Sequence, residues 1–328
     1  MSGPRVVALG GGHGLSVTLQ ALVDVTDDLT AIVTVADDGG SSGRLRTELG
    51  ALPPGDLRMA LAALAGTDVW GEQWRALLQH RFNGDGPLTG HAVGNLLLTG
   101  LIETTGDVVR ALELVGRLVG ARGRVLPASI TPLDIVALVA GLVPGDPRAL
   151  VEVSGQVAVA TTPGSVCAVR LAPEDPPACA EAVQAVLDAD VVVLGPGSWF
   201  TSVLTHLLIP DLRAALLATS ARRVVCLNLA PQAGETAGFT PATHLEVLAA
   251  HVSELSVDTV LADRTAVLDS HGLIAAERHR ELSDAVDLLG GRLVLAPLER
   301  GDGTPRHDPV RLAQAYAEII GVPVKGKP

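Results

Sequence analysis

With 328 residues, 48% of them hydrophobic, the chain can bury a large core in one big domain. A formal net charge of -12 and an aromatic content of 2% exclude the basic, ring-studded surfaces that hold nucleic acid. The only lysines are Lys325 and Lys327, which excludes a Walker lysine or a Schiff-base lysine from the body of the chain. Any phosphate must then meet arginine, backbone amides, a helix start or a metal. The mean hydropathy of +0.38 raises the question of a membrane. No apolar run approaches the ~18 residues that a spanning helix needs, and the richest, Ile135 to Val143, is closed by Asp134 and Pro144. The opening residues lack the apolar stretch of a signal peptide, and Cys167, Cys179 and Cys226 have no metal-site spacing. A cytoplasmic protein without a transmembrane segment is expected.

Arg5 to Leu9 reads as a first strand that runs into Gly10-Gly-Gly-His-Gly14. A helix follows from Leu15 to about Val25, its leucines at helical spacing, and then a second strand from Leu29 to Val35. This strand, glycine loop, helix and strand open a doubly wound fold. Helices are expected over Leu57–Ala65, Glu72–His80, His91–Glu103 and Val108–Val119. From about 125 to 171 the texture turns to short β-branched runs between Pro and Gly (Ile135–Val139, Val151–Thr161, Val166–Leu171), read as a β-rich inserted segment. Parallel α/β character resumes with a helix over Cys179–Leu187 and a strand over Val191–Leu194. Later strands are expected at Arg223–Leu227, Thr259–Leu261 and Leu293–Leu295, and helices near Thr201–Leu208, Pro241–Ser253 and Asp308–Ile320. The fold class is α/β, a Rossmann-like doubly wound and mostly parallel sheet, in a single domain spanning 1–328.

Val35-Ala-Asp-Asp-Gly-Gly-Ser-Ser-Gly-Arg-Leu-Arg46 follows the second strand, where open α/β sheets bind ligands. Asp37 and Asp38 are candidates to hold a metal or a ribose; Ser41, Arg44, Arg46 and the Gly39–Gly43 amides are candidates for phosphate. The alternative is an Asp-Gly turn with a capping serine. In the first loop, Gly11, Gly12, His13 and Gly14 let the backbone pass close to a phosphate at a helix start, or simply make a tight turn. The loop does not satisfy GxGxxG, which disfavours a nicotinamide oxidoreductase. Asn95, in Gly90-His-Ala-Val-Gly-Asn95, offers a donor and an acceptor to a base or ribose, or bridges buried backbone. Gly195, Gly197 and Ser198 repeat the strand–glycine–helix arrangement, and are expected to form a second anion-binding helix start. Asn228 and Gln232 follow another strand at the same edge. Arg306, after Gly301-Asp-Gly303, either swings a cation into the cleft or begins the last helix with Asp308 as its cap.

These strings, with Pro54-Gly-Asp-Leu-Arg58 and Gln232-Ala-Gly-Glu-Thr236, occur in order along nearly the whole chain and resemble the YvcK proteins, the gluconeogenesis factors. That family stands in the superfamily of 2-phospho-L-lactate transferase. The resemblance implies a Rossmann-like fold that binds a UDP-sugar, notably UDP-N-acetylglucosamine. It also implies a cytoplasmic role in cell shape and peptidoglycan-precursor supply during gluconeogenic growth, contacts with cell-wall precursor enzymes, and a homodimer. The transferase relatives use Mg²⁺ with the matching acidic loop near the reaction centre, so Mg²⁺ on Asp37 and Asp38 is the corresponding expectation here. His13 stands where many members have threonine, and Ala233 where many have proline. Two functions stay open: a UDP-sugar-binding regulator, and a Mg²⁺-dependent uridylyl- or phospholactate-type transferase with Asp37 or Asp38 as its catalytic carboxylate.

Overall fold

The computed structural model describes residues 3–232, 234–269 and 271–325. Ala233 and Lys327 lie outside them. Strands in chain order are β1 (Arg5–Gly10), β2 (Asp28–Val33), β3 (Arg124–Pro127), β4 (Asp134–Ala140), β5 (Leu150–Ser154), β6 (Ser165–Ala172), β7 (Val191–Leu194), β8 (Arg222–Cys226), β9 (Thr259–Asp263) and β10 (Arg292–Ala296). Seven of them form one sheet in the order β10-β9-β8-β7-β1-β2-β3, and every pair in it is parallel. The strands read as unbroken apolar runs because helices cover both faces: Val191–Leu194 is wholly buried, and Arg5–Gly10 is buried after its first residue. Helices Gly12–Leu22, Gly55–Leu64 and Pro309–Ile320 pack together on one face, while Ala180–Asp188 and Pro210–Ala218 pair on another.

From β1 the chain winds through β2 and β3 to one edge, then returns beside β1 with β7 and winds to the other. The direction of winding therefore reverses between β1 and β7, and a crevice opens beyond their carboxyl ends. Both glycine loops start there, Gly10–Gly14 after β1 and Gly195–Ser198 after β7.

A second, antiparallel sheet has β4 at its centre, between β5 and β6. Its inward residues Ile135, Ala137 and Val139 are fully buried. The β-rich insertion is therefore Asp134–Ala172, shorter than the sequence expectation, because Arg124–Pro127 pairs with β2 and completes the main sheet. The insertion is tied back by the Leu133 amide, which donates to the Val35 carbonyl, and by the Arg46–Asp134 ion pair at 2.6 Å.

Four helices depart from expectation. Gly40–Leu49 was expected as a phosphate loop, since Gly-Ser-Ser-Gly has poor helix propensity; burial of Ser41, Ser42 and Leu45 and the hydrogen bond of Arg46 to the Leu133 carbonyl override it. Pro210–Ala218 carries proline in its first turn, a start signal that the sequence reading passed over. Ala276–Leu288 is largely charged, with only Leu282, Ala285 and Val286 buried. Gln156–Ala160 interrupts what read as a β run, leaving β5 to end at Ser154. Among the described residues no single helix is long and apolar enough to cross a membrane; Trp199–Leu207 with Pro210–Ala218 passes only as a pair bent by 72°.

Two glycine replacements should move stability in opposite directions. A Cβ on Gly14 would overlap the Pro196 carbonyl, so Gly14→Ala should cost about 1–3 kcal/mol. Gly100 is exposed in the helix Val93–Thr105 with open space around it, so Gly100→Ala should stabilise by about 0.5–1 kcal/mol. Urea midpoints of the two variants check both signs.

Candidate functional site

Gly11 is extended, and Gly12 turns at a φ of 56° to begin the helix Gly12–Leu22. A Cβ on Gly11 would collide with Asp56 and Thr34, just as one on Gly14 would meet Pro196. The glycines thus let three segments close on one point without side chains between them. Around that point lie two adjoining chambers. The outer one, about 500 Å³, is lined by His13, Asn228, Gln232, Arg300 and Arg306 among others. The inner one, about 220 Å³, is lined by Thr34, Asp37, Asp56, Gln156 and Ser202 among others. His13, Gly14, Gly197 and Gln232 belong to both walls.

The acidic residues of the inner chamber are not the adjacent pair. Asp37 accepts a hydrogen bond from the Gly39 amide at 2.9 Å and lines the chamber. Asp38 points elsewhere and accepts from the Val157 amide at 2.9 Å, at the start of Gln156–Ala160. It caps the insertion, so Asp37 and Asp38 do not form a common metal site. Asp37 is joined instead by Asp56, from the first turn of Gly55–Leu64. Burial, then the negative charge of Asp37, push the Asp56 carboxyl up to about 7; the Gly12 amide and the Arg58 cation oppose that rise. Burial, then the charge of Arg81, lower Arg58 to about 10. Among the described residues no three His, Cys, Asp or Glu side chains gather as a metal cluster.

Two of the cations that the sequence offered to phosphate, Arg44 and Arg46, are spent elsewhere. Arg44 donates to the carbonyls of Thr89 (2.9 Å) and Pro87. Arg46 donates to the Leu133 carbonyl and to Asp134. Neither lines a chamber, whereas Arg306 does, together with Arg300, which the sequence reading did not single out. Ser41 and Asn95 are also outside both walls. The Asn95 amide donates to Ser41 Oγ at 3.0 Å, and Ser41 Oγ lies 2.9 Å from His91 Nδ1. These buried groups brace the acidic loop against the helix Val93–Thr105.

The second glycine loop is held by Asn228, whose Oδ1 accepts from the Gly197 amide at 2.9 Å and whose Nδ2 donates to the Gly197 carbonyl at 2.7 Å. The helix start beyond it does not wait for an external anion. Glu235, 3% exposed, accepts the amides of Phe200 (2.9 Å) and Thr201 (2.8 Å) and the Ser198 hydroxyl. Burial raises its carboxyl above the usual range, and those hydrogen bonds pull it back. The expected second anion site is therefore filled from within. Gln232 faces both chambers, and its buried Oε1 has no partner among the described residues. Asp56 and Glu235 had visible signals in Pro54-Gly-Asp56 and Gln232-Ala-Gly-Glu235; Gln156 had none, since it arrives from a distant segment.

Asp56 carries a pH signature. Its proton leaves near 3.8 in the unfolded chain and near 7 in the fold, so between those values the folded state holds the extra proton. Its contribution is full below about pH 4 and drains by about 1.4 kcal/mol per pH unit up to about pH 7. The unfolding free energy of the wild type should fall across that window relative to Asp56→Asn. A constant difference in denaturation titrations stepped through pH would refute the assignment.

Residues 6–288 match the family model described as 2-phospho-L-lactate transferase CofD. A Bacillus subtilis protein named gluconeogenesis factor is 39% identical over 266 residues, covering 81% of this chain and 80% of its own length. A Mycobacterium tuberculosis protein, also named for that factor, is 54% identical over 309 residues, covering 94% of this chain and 88% of its own. The crystal structure of a UPF0052 family member from Bacillus halodurans superposes with a TM-score of 0.82 at 35% identity, covering 96% of this chain and 99% of that one. The likeness runs through both glycine loops and the insertion between them, and on that ground the chain belongs to the CofD family, among the gluconeogenesis factors.

Proposed function

We propose that the chain is a UDP-sugar-binding regulator, with UDP-N-acetylglucosamine as its ligand. One observation carries the reading: two adjoining chambers of opposite character meet at the switch point. Arg300 and Arg306 face the outer chamber, where they suit a diphosphate, and Leu229, Ala230 and Pro231 offer an apolar wall to a base. Asp37, Asp56 and the hydroxyls of Thr34 and Ser202 face the inner chamber, where they suit the hydroxyls of a sugar. In this reading His13, Gly14, Gly197 and Gln232 flank the junction between the two parts of the ligand. Gly11 and Gly12 border the sugar, Asn228 and Ser198 shape the second loop, and Ser41, Arg44, Asn95 and Asp38 act from behind the walls. The cytoplasmic setting, the homodimer and control of cell-wall precursor enzymes through protein contact belong to the same proposal, supported by the resemblance of motifs.

A Mg²⁺-dependent transferase is the second reading, favoured by the match to the 2-phospho-L-lactate transferase model and by the Asp37–Asp56 pair. Two carboxylates in one buried chamber repel one another, and a divalent cation between them would relieve that repulsion. When bound there, Mg²⁺ would supply charge neutralisation to a phosphoryl oxygen. The chain's own part is to hold the two carboxylates at the end of β2 and the start of Gly55–Leu64, behind a glycine wall that lets a substrate approach.

Calorimetry separates the readings. Wild-type protein should bind UDP-N-acetylglucosamine, and Arg306→Ala should weaken it about tenfold to a hundredfold, the worth of a charge-assisted hydrogen bond. Absence of binding to UDP, UTP and the UDP-sugar alike would overturn the proposal. Release of pyrophosphate from UTP, Mg²⁺ and N-acetylglucosamine-1-phosphate, abolished by Asp37→Ala, would establish the transferase instead.

A further inference from the structure

The inner chamber holds acceptors, hydroxyls and amides, and the formal charges on its wall are the carboxylates Asp37 and Asp56, with titratable His13 at the junction. Among the described residues no arginine or lysine lines it. A guest must therefore donate hydrogen bonds to carboxylates while accepting them from amide groups, and an added negative charge on it would meet Asp37 and, once its proton has left, Asp56 as well.

All but one of its lining residues come from the loops and helices around the main sheet. The exception is Gln156, the one residue of the insertion that lines either chamber among the described residues. It is held at both ends. Gly155 turns at a φ of 99°, and a Cβ there would overlap the Asp38 carboxylate. The next amide but one, Val157, is capped by Asp38 at 2.9 Å. Val159 is fully buried, and the far end of the short helix packs its Ala160 carbonyl against Gly234, in the loop that carries Gln232. The Gln156 side-chain amide itself makes no hydrogen bond among the described residues. It is a half-buried donor and acceptor without a partner, carried on an anchored backbone at the wall of a chamber that Gln232, whose Oε1 also lacks a partner, lines as well.

We propose that Gln156 is a specificity-determining residue: it reads the group carried beyond the diphosphate, and that group is an uncharged, hydrogen-bonding ring. The inference rests on the UDP-sugar reading and adds to it the insertion, through Gln156, as the element that selects the sugar. On this account the antiparallel sheet exists at this site to deliver one amide, and Asp38 serves it as a positioning residue.

The test uses the full chain and three probes, UDP, UDP-N-acetylglucosamine and UDP-glucuronate, titrated by calorimetry in EDTA. Gln156→Ala should leave the affinity for UDP within about twofold and weaken that for UDP-N-acetylglucosamine about threefold to tenfold, the loss of an uncharged hydrogen bond. Gln156→Glu, of the same shape but with a third carboxylate, should abolish the preference for the sugar-bearing ligand while UDP still binds, which also reports that the variant is folded. UDP-glucuronate should bind the wild type no tighter than UDP. Equal losses for UDP and UDP-N-acetylglucosamine, no loss for either, or tight binding of UDP-glucuronate would overturn the inference and leave the nucleotide reading standing. A wild type that binds none of the three would overturn both.

Discussion

Everything at this site depends on the close approach of two strand-end loops, Gly14 against the Pro196 carbonyl. The approach follows from sheet order, since β1 and β7 are hydrogen-bonded neighbours that leave the sheet at the same edge. Residues with a Cβ would hold the loops apart. The glycines therefore act as a spacing device. They also bring Asp56 to the back of Gly11, so that one contact sets the width of the outer chamber and the depth of the inner one.

Closeness has an electrostatic consequence. Asp37 and Asp56 come from different elements, and each is placed by backbone geometry before it meets the other. The fold tolerates the pair because one member keeps its proton toward neutrality, with Arg58 buried behind. Burying like charges is costly unless a proton, a cation or a hydrogen-bonding guest intervenes. Both functional readings start from that need, and they differ only in which of these occupies the space.

The main sheet was legible because parallel strands covered on both faces are short apolar runs, and glycine loops mark their ends. The insertion was legible as texture, although its border was misplaced: Arg124–Pro127 resembles the β-branched runs that follow it, and only pairing with β2 assigns it to the main sheet. Site residues were legible where they sit in the loops that end strands, as with His13, Asp37, Gly197 and Gln232. They were misread where chemistry was inferred from residue type alone. Arg44 looks like a phosphate ligand until its guanidinium is seen on the carbonyls of Thr89 and Pro87. The Ser198 loop looks like an anion site until Glu235 arrives from 37 residues away. Sequence spacing carries local geometry, and it carries little about which distant side chain satisfies a donor first.

Glu235 takes the amides of Phe200 and Thr201, so the charged partners that the described residues offer an anion in the cleft are the exposed Arg300 and Arg306 of the outer chamber. Charges in open solvent are screened over about 8 Å at physiological ionic strength, and buried groups far less. The two chambers thus differ in what modulates them. Contacts at Arg300 and Arg306 are governed by the surrounding salt, while those at Asp56 answer to its proton. A single cleft answers to two separate features of its solution, and the glycine contact at its waist divides them.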